Sequence, residues 1–458
     1  MHGTLIEYNI WNKVIIIMEI TSKTKKDNLL QRVFKLEEHN TDTKTEVMAG
    51  ITTFMTMAYI LVVNPSILSQ AGMDQGAVFV ATALSAAIAT FFMGIMANYP
   101  IALAPGMGLN VFFANTIVLQ MGYSWQFALM AVFIEGIIFI LLTVTNIREK
   151  IIECIPMNLK YAVTAGVGLF IAYVGLQNAS IVVDGGLGNI HDPLVILTLA
   201  GLLVTGVLVA KNKKGALLIS IVIISVIGMA LKLVGLPEAI MSFDIPSLKP
   251  VFLQAFSVDP SQIFSLDMLI VVFTLLFVDL FDTVGCLVGV AEKGNLLDEN
   301  GNIPNAKEAM LADAIGTTTG ALLGTSTVTS FIESASGIGE GGRTGLTAIT
   351  TGVLFILSLL FAPLFVAIPT QATSAVLIIV GVMMAGSLNK IDFDDFTNAI
   401  PAFITFLFMP LTNSIGDGII FGILSYTILK LATNRKDEVN LSMIILSILF
   451  IIKFILLG

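Results

Sequence analysis

The sequence predicts an all-α polytopic membrane protein of about fourteen spans, arranged as a 7+7 inverted repeat with two broken helices. Three observations predict it. Of 458 residues, 56% are hydrophobic and only 12% charged, with a mean hydropathy of +0.93; a soluble chain carries about a quarter charged residues. Apolar runs near the ~20 residues needed to cross a hydrocarbon core recur along the chain. The third observation is an exception inside one run. Asp279 and Asp282 lie in the middle of 263–290, three residues apart and so on one helix face. An Asp at the centre of a spanning helix costs about 2.5–3.5 kcal/mol on translocon scales. That face must therefore meet protein, water or substrate instead of lipid.

In order, residues 1–18 hold a short apolar run, Val14 to Met18, too brief for a signal segment and followed by lysines. They read as an extension upstream of an alternative start at Met18. Residues 19–44 carry Lys23, Lys25, Lys26, Arg32, Lys35 and Lys44 and read as a solvated arm, so that 1–44 form a cytoplasmic N-terminal arm. Spans follow at roughly 45–64, 76–97, a broken segment 103–119, 124–145, 158–178, 193–211 and 214–233. A polar connector, 234–262, contains Pro237, Pro246, Pro250 and Pro260. The second set is roughly 263–290, 306–323, a broken segment 325–341, 343–367, 371–388, 397–412 and 415–432.

Charge placement agrees with an even count. Loops on one side hold Arg148, Lys150 and Lys160; Lys211, Lys213 and Lys214; Lys293 and Lys307; Lys390; Lys430, Arg435 and Lys436. Opposite loops, around 65–75, 119–124, 179–192 and 368–370, have no Lys or Arg, and the long connector has only Lys249. The positive-inside rule places both termini in the cytoplasm of a multi-pass cell-membrane protein. Within 433–458, the apolar tail Leu441 to Leu457 carries Lys453. It reads as a helix lying at the cytoplasmic interface, because a crossing would bury Lys453 or force it to snorkel.

The two halves echo each other. Ala162-Val163-Thr164-Ala165 leading to Asn178 resembles Ala372-Thr373-Ser374-Ala375 leading to Asn389, each opening the fifth span of its half. An odd number of spans per half inverts the second repeat. The third segment of each half is abnormal: Ala104-Pro105-Gly106-Met107-Gly108-Leu109-Asn110, and Gly324-Thr325-Ser326-Thr327-Val328-Thr329-Ser330-Phe331-Ile332-Glu333. Pro, Gly and β-branched runs are poor helix formers. Interrupted hydrophobic segments at matching positions of two halves point to a transporter's midplane site. Bare backbone at that depth requires cover from protein or a water-filled cavity.

The site candidates follow from depth. At least one of Asp279 and Asp282 is expected to be functional, as are Glu333 just after the second break and Asn110 in the first; Asp279 and Glu333 are candidates for proton coupling or support. Asn115 and Thr329 read as structural, and Asp417 as a helix cap. Phe112, Phe281 and Phe331 are candidate stacking residues for a flat ligand, with Phe113 beside them, although packing accounts for each singly. Gly337-Ile338-Gly339-Glu340-Gly341-Gly342 matches a dinucleotide fingerprint without the strand–helix unit it needs, and a tight cytoplasmic loop explains it better. His2, His39 and His191 all lie outside spans, leaving no parts for a His-ligated metal site in the membrane. An aspartyl protease would need its two Asp on separate helices. No metal, cofactor or enzymatic role is expected. Nucleic acid is excluded by the lack of a basic patch interleaved with aromatics, and Cys154 and Cys286, in a loop and a span, do not suggest a disulfide.

A flat heterocycle with adjacent N–H donors and ring acceptors fits this set, since a carboxylate accepts two N–H bonds and an amide offers both a donor and an acceptor. An anion would want cationic lining, and no Lys or Arg lies deep in the broken segments.

Thr45-Glu46-Val47-Met48-Ala49-Gly50-Ile51-Thr52-Thr53-Phe54, Ala104 to Asn110, Phe281-Asp282-Thr283-Val284-Gly285 and Gly341-Gly342-Arg343-Thr344-Gly345-Leu346-Thr347 resemble the adenine/guanine/hypoxanthine permease branch of the nucleobase–cation symporter-2 family. The resemblance covers about residues 28–435. It implies a core domain (45–147 and 263–367) and a gate domain (158–233 and 371–432), with substrate between them and core sliding against gate. It also implies that Asp282 and Glu333 bind the base and that Asn110 matches the polar residue of the third span, while no role transfers to Asp279. The expected activity is import of hypoxanthine, guanine or adenine by proton symport. The partners are then a purine base, a proton as coupling ion and the lipid bilayer, with a homodimer left open. Rival readings are a uracil or xanthine permease, an anion exchanger of the same fold, and a passive channel.

Overall fold

The structure is a computed structural model that describes residues 26–145, 156–183, 185–237, 239–293, 296, 304–440, 443–444, 447–448 and 450–451. It is predominantly helical. Among the described residues, eight helical stretches are long and apolar enough to cross a membrane, and three further apolar helices are shorter.

In the first half, α1 (Lys26–Phe34) precedes α2 (Thr43–Met57) and α3 (Ile60–Gln70), which join into one stretch of 28 residues bent at Ala58–Tyr59. Then come α4 (Gln75–Phe92), ending in a π-turn Met93–Ala97, the strand β1 (Leu103–Pro105), and α5 (Met107–Val111) continuing as a π-helix to Gln120. After α6 (Trp125–Val144) and α7 (Met157–Asn178), a two-strand hairpin β2 (Val182–Val183) and β3 (Gly186–Leu187) leads into α8 (Pro193–Ala210) and α9 (Ala216–Ala230). The second half runs α10 (Leu266–Lys293), α11 (Ala306–Leu323), β4 (Val328–Ser330), α12 (Ser334–Gly339), α13 (Gly345–Ser358, helical on to Val366), α14 (Thr370–Ala385), α15 (Phe396–Thr412) and α16 (Ile415–Ala432).

Helix starts follow short polar caps. Asp74 accepts from Ala77 N at 2.7 Å, Ser124 from Phe127 N at 3.2 Å, Asp192 from Leu194 N at 2.8 Å and Asp395 from Thr397 N at 2.9 Å. Asp417, expected as a cap, is instead capped. Ser414 Oγ accepts its backbone N–H at 3.2 Å, and the carboxylate sits in the first turn of α16. There its charge complements the helix dipole.

Two packing groups emerge. In one, α2 packs on α13, α4 on α3, α11 and α13, and α6 on α11; in the other, α7 packs on α14 and α15, α14 on α8, and α15 on α16. They meet along a narrower seam, where α7 touches α5 and α10, α9 touches α2, and α16 touches α10. Close approach inside the first group depends on glycine: a Cβ on Gly345 would stand 2.0 Å from the Gly94 carbonyl oxygen.

Three expectations need correction. Residues 26–34, read as part of a solvated arm, form α1, and Phe34 and Leu36 are buried against Leu346, because the basic stretch also carries an apolar face. Lys430, counted with the loop cations, is fully buried; Glu438 at 2.7 Å and Asp395 at 3.7 Å neutralise it. The described residues of the tail, expected at the interface, pack against the bundle. Ser447 Oγ donates to Thr427 Oγ1 at 2.9 Å, Met443 is buried, and the Phe450 ring meets Phe273 edge-on at 5.7 Å. The groove between α10 and α16 offers these apolar side chains partners that the water side lacks. Lys453 and residues 1–18 lie outside the described residues.

Candidate functional site

The two broken segments meet. β1 and β4 pair antiparallel, Leu103 opposite Ser330, Ala104 opposite Thr329 and Pro105 opposite Val328. Gly106 N donates to Thr327 O at 2.9 Å and Phe331 N to Ala102 O at 3.0 Å, extending the ladder at both ends. Each interruption is therefore an extended strand running into a helix, not a helix with a kink. The backbone groups that the missing helical turns would leave unpaired find partners across the two halves, as burial demands. Thr90 Oγ1 accepts from Leu103 N at 2.9 Å and Ser334 Oγ from Ala102 N at 3.0 Å, completing the pairing from the sides.

α10 passes beside this ladder. Thr283 Oγ1 lies 2.8 Å from Thr329 Oγ1, 2.9 Å from Asp313 Oδ1 and 3.2 Å from Asp279 Oδ1. A hydroxyl has one proton, so Thr283 donates to one of the two buried carboxylates at a time, while its oxygen is placed to accept from the Thr329 hydroxyl. Asp279 and Asp313 are fully buried, whereas Asp282, one turn along, is partly accessible. Its Oδ2 is 3.8 Å from where a Cβ on Gly106 would stand. A side chain at Gly106 would also meet the Thr329 methyl at 2.7 Å, so the bare backbone lets α10 and both strands converge.

Glu333 follows β4 by three residues and is partly accessible too. The Tyr59 hydroxyl, at the bend between α2 and α3, donates to its Oε1 at 2.6 Å. Asn110 on α5 is fully buried, and its Oδ1 accepts from Ser326 Oγ. Neighbouring helices hold the second break in place: Thr327 Oγ1 donates to Glu135 of α6 at 2.6 Å, Asn64 Nδ2 of α3 donates to Thr325 Oγ1 at 2.8 Å, and Thr317 Oγ1 of α11 donates to the Val328 carbonyl at 2.8 Å.

Asp282, Glu333 and Asn110 thus surround one strand pair, with Asp279 behind it beside Asp313. Thr329, read as structural, links the strand to α10. Phe112 and Phe331 are 3% and 5% exposed, so packing already claims most of both rings. The Phe281 side chain lies outside the described residues. Among the described residues, the ion pairs lie away from Asp282 and Glu333, in the Lys35–Glu38, Lys214–Glu340 and Asp395–Lys430–Arg435–Glu438 contacts. Among the described residues the site is acidic without an ion-paired cation, and it offers carboxylate acceptors to an N–H-rich molecule.

Sequence reasoning passed over Tyr59, Thr283, Asp313, Glu135 and Asn64. The two acids carried the same signal as Asp282, a carboxylate inside an apolar run. Tyr59 carried none, because its role depends on where the bend places it. Glu46 was also missed as a structural anchor. Fully buried on α2, it accepts from Arg343 N at 2.8 Å, Thr347 Oγ1 at 2.6 Å, Thr347 N at 3.2 Å and Thr344 N at 3.3 Å. Arg343 in turn donates to the Ile338 and Gly342 carbonyls, both at 2.7 Å. The glycine run 337–342 ends α12 and turns at Gly341, with φ +100°.

A family profile described as "Permease family" matches residues 44–421. An adenine permease of Escherichia coli is 42% identical over 446 residues, covering 95% of this chain and 98% of its own. The guanine/hypoxanthine permease PbuG of Bacillus subtilis is 46% identical over 442 residues, covering 93% of this chain and all of its own. Among solved structures, the transmembrane domain of a cyanobacterial bicarbonate transporter superposes with a TM-score of 0.60 at 15% identity, covering 83% of this chain and 97% of that one. That likeness is one of fold.

Proposed function

The chain belongs to the permease family matched over residues 44–421, and on that premise we propose that it imports a purine base, hypoxanthine, guanine or adenine, by proton symport. It is a multi-pass membrane protein and a nucleobase transporter, not an enzyme. The observation that carries the choice of substrate site is the joining of the broken segments. The β1–β4 pair brings Asp282 against Gly106 and Glu333 to the end of β4, leaving two partly accessible carboxylates beside one strand ladder.

In this reading Asp282 and Glu333 accept the ring and exocyclic N–H groups of the base, and Asn110 supplies an amide to the same face. The sign of the site supports a neutral base over an anion, which would face two carboxylates. The proton rides on the acidic set of Glu333 and Asp279. The two packing groups correspond to a core (45–147, 263–367) and a gate (158–233, 371–432), within seven plus seven spans of inverted repeat and with both termini cytoplasmic. Movement of core against gate along the narrow seam carries the base across. Tyr59 holds Glu333 in the orientation in which its second oxygen meets substrate.

The deciding experiment replaces Asp282 and Glu333 singly by alanine and measures uptake of radiolabelled purine bases in a host lacking base uptake. Both variants should reach the membrane and lose uptake. Normal transport by both would end the assignment, and competition by unlabelled uracil or xanthine stronger than by hypoxanthine, guanine or adenine would move the substrate to those bases.

A further inference from the structure

An open polar groove lies on the seam, its lining sharing no residue with the Asp282 and Glu333 set. A cavity of about 240 Å³ is lined by Asn115, Leu119 and Gln120 of the π-helix after α5, Gln177 at the end of α7, and Asn413 in the turn after α15. Four of these five side chains are carboxamides, and none is charged. Three helices end here, at Gln120, Asn178 and Thr412, so their last carbonyls and the negative ends of their dipoles face a common space. Backbone turns already pair the Leu176, Gln177 and Ile117 carbonyls with Ile181, Ser180 and Tyr123, and two more carbonyls are in use across the seam. Gln120 Nε2 donates to Thr412 O at 2.9 Å and Thr116 Oγ1 to Asn413 O at 2.7 Å. The Asn115 Oδ1 is buried with no hydrogen-bond partner among the described residues. Leu119, 56% exposed, provides an apolar ledge beside the amides.

An apolar ledge beside neutral amides, one with a buried unpartnered oxygen, suits a flat, uncharged, N–H-bearing ring. The connections 119–124 and 179–192, which bracket this end, contain no Lys or Arg, and so lie on the outer side under the proposed orientation. We propose that this cleft is an outer docking site for the transported base, a neutral lactam or amidine heterocycle held between the two packing groups before it reaches Asp282 and Glu333. The inference rests on the nucleobase-transport reading and adds a site to it. The base bridges the same groups as the Gln120 and Thr116 bonds, so its arrival competes with the contacts that close the seam on this side.

The test uses the full chain, purified and reconstituted in sided proteoliposomes, with radiolabelled hypoxanthine, adenine and guanine. Gln177→Met keeps the side-chain length and removes the amide; Asn115→Leu does the same at the opposite wall and serves independently if the first variant is unstable. Loss of one neutral hydrogen bond should raise KM from the outer face about three- to tenfold, with KM from the inner face as in the unsubstituted protein. Outer KM unchanged in both variants, or raised equally on both faces, overturns the docking site. If the unsubstituted protein moves none of the three bases, the transport reading fails first; if it moves them and the variants keep their outer KM, only the docking site falls.

Discussion

Glu333 owes its orientation to one phenol. Tyr59 sits at the bend of the first span and donates to Oε1 at 2.6 Å, which in the proposed reading leaves the other oxygen to substrate. A hydrogen bond to a charged group contributes about 1.5–3 kcal/mol. Tyr59→Phe should therefore weaken purine binding by roughly ten- to hundredfold while the protein still reaches the membrane. A binding isotherm on purified Tyr59→Phe that overlays that of the unsubstituted protein would show that the phenol only packs. At this scale the sequence reveals the carboxylates, since an acid inside an apolar run is conspicuous. It conceals their partners, because tyrosines and threonines are ordinary in spans. Thr283 becomes notable only once α10 lies beside both Asp313 and Thr329.

At the scale of elements, the interruptions were legible and their form was not. Pro105, Gly106 and the β-branched run 325–329 rule against helix, yet local preference cannot say that the two strands pair with each other. Pairing requires their halves to be brought together. Elsewhere the ends of elements agree with the apolar runs: 397–412 is observed as Phe396–Thr412 and 415–432 as Ile415–Ala432. The start of α13 is held from another element, by Glu46 accepting the N–H groups that its first turn leaves free. Glu46→Gln keeps the shape and removes the charge and one acceptor. It should destabilise the protein by about 1–3 kcal/mol, seen as a lower melting temperature in detergent. An unchanged melting temperature would mean that Arg343 and Thr347 hold this corner without it.

For the whole molecule, transport by relative movement of two bodies requires the seam to break in each cycle. A Cβ on Gly108 of α5 would stand 3.7 Å from the Cβ of Val167 on α7, close to the spacing of about 3.8 Å that a disulfide requires. With Cys154 and Cys286 replaced by serine, the pair Gly108→Cys and Val167→Cys should transport when reduced, stop when oxidised and recover with reductant. Full transport with the cross-link quantitatively formed would refute a sliding core. The chain by itself determined its membrane nature, the approximate reach of each span, the two broken segments and the acids worth watching, because burial in lipid imposes length and polarity residue by residue. Only the tertiary structure decided that β1 completes β4, that Tyr59 and Glu46 reach across to Glu333 and α13, that residues 26–36 dock instead of lying in solvent, and that the described residues of the tail pack on α10 and α16 instead of lying at the interface. Those contacts join residues hundreds of positions apart or depend on a groove formed by other helices, and local sequence carries no record of either.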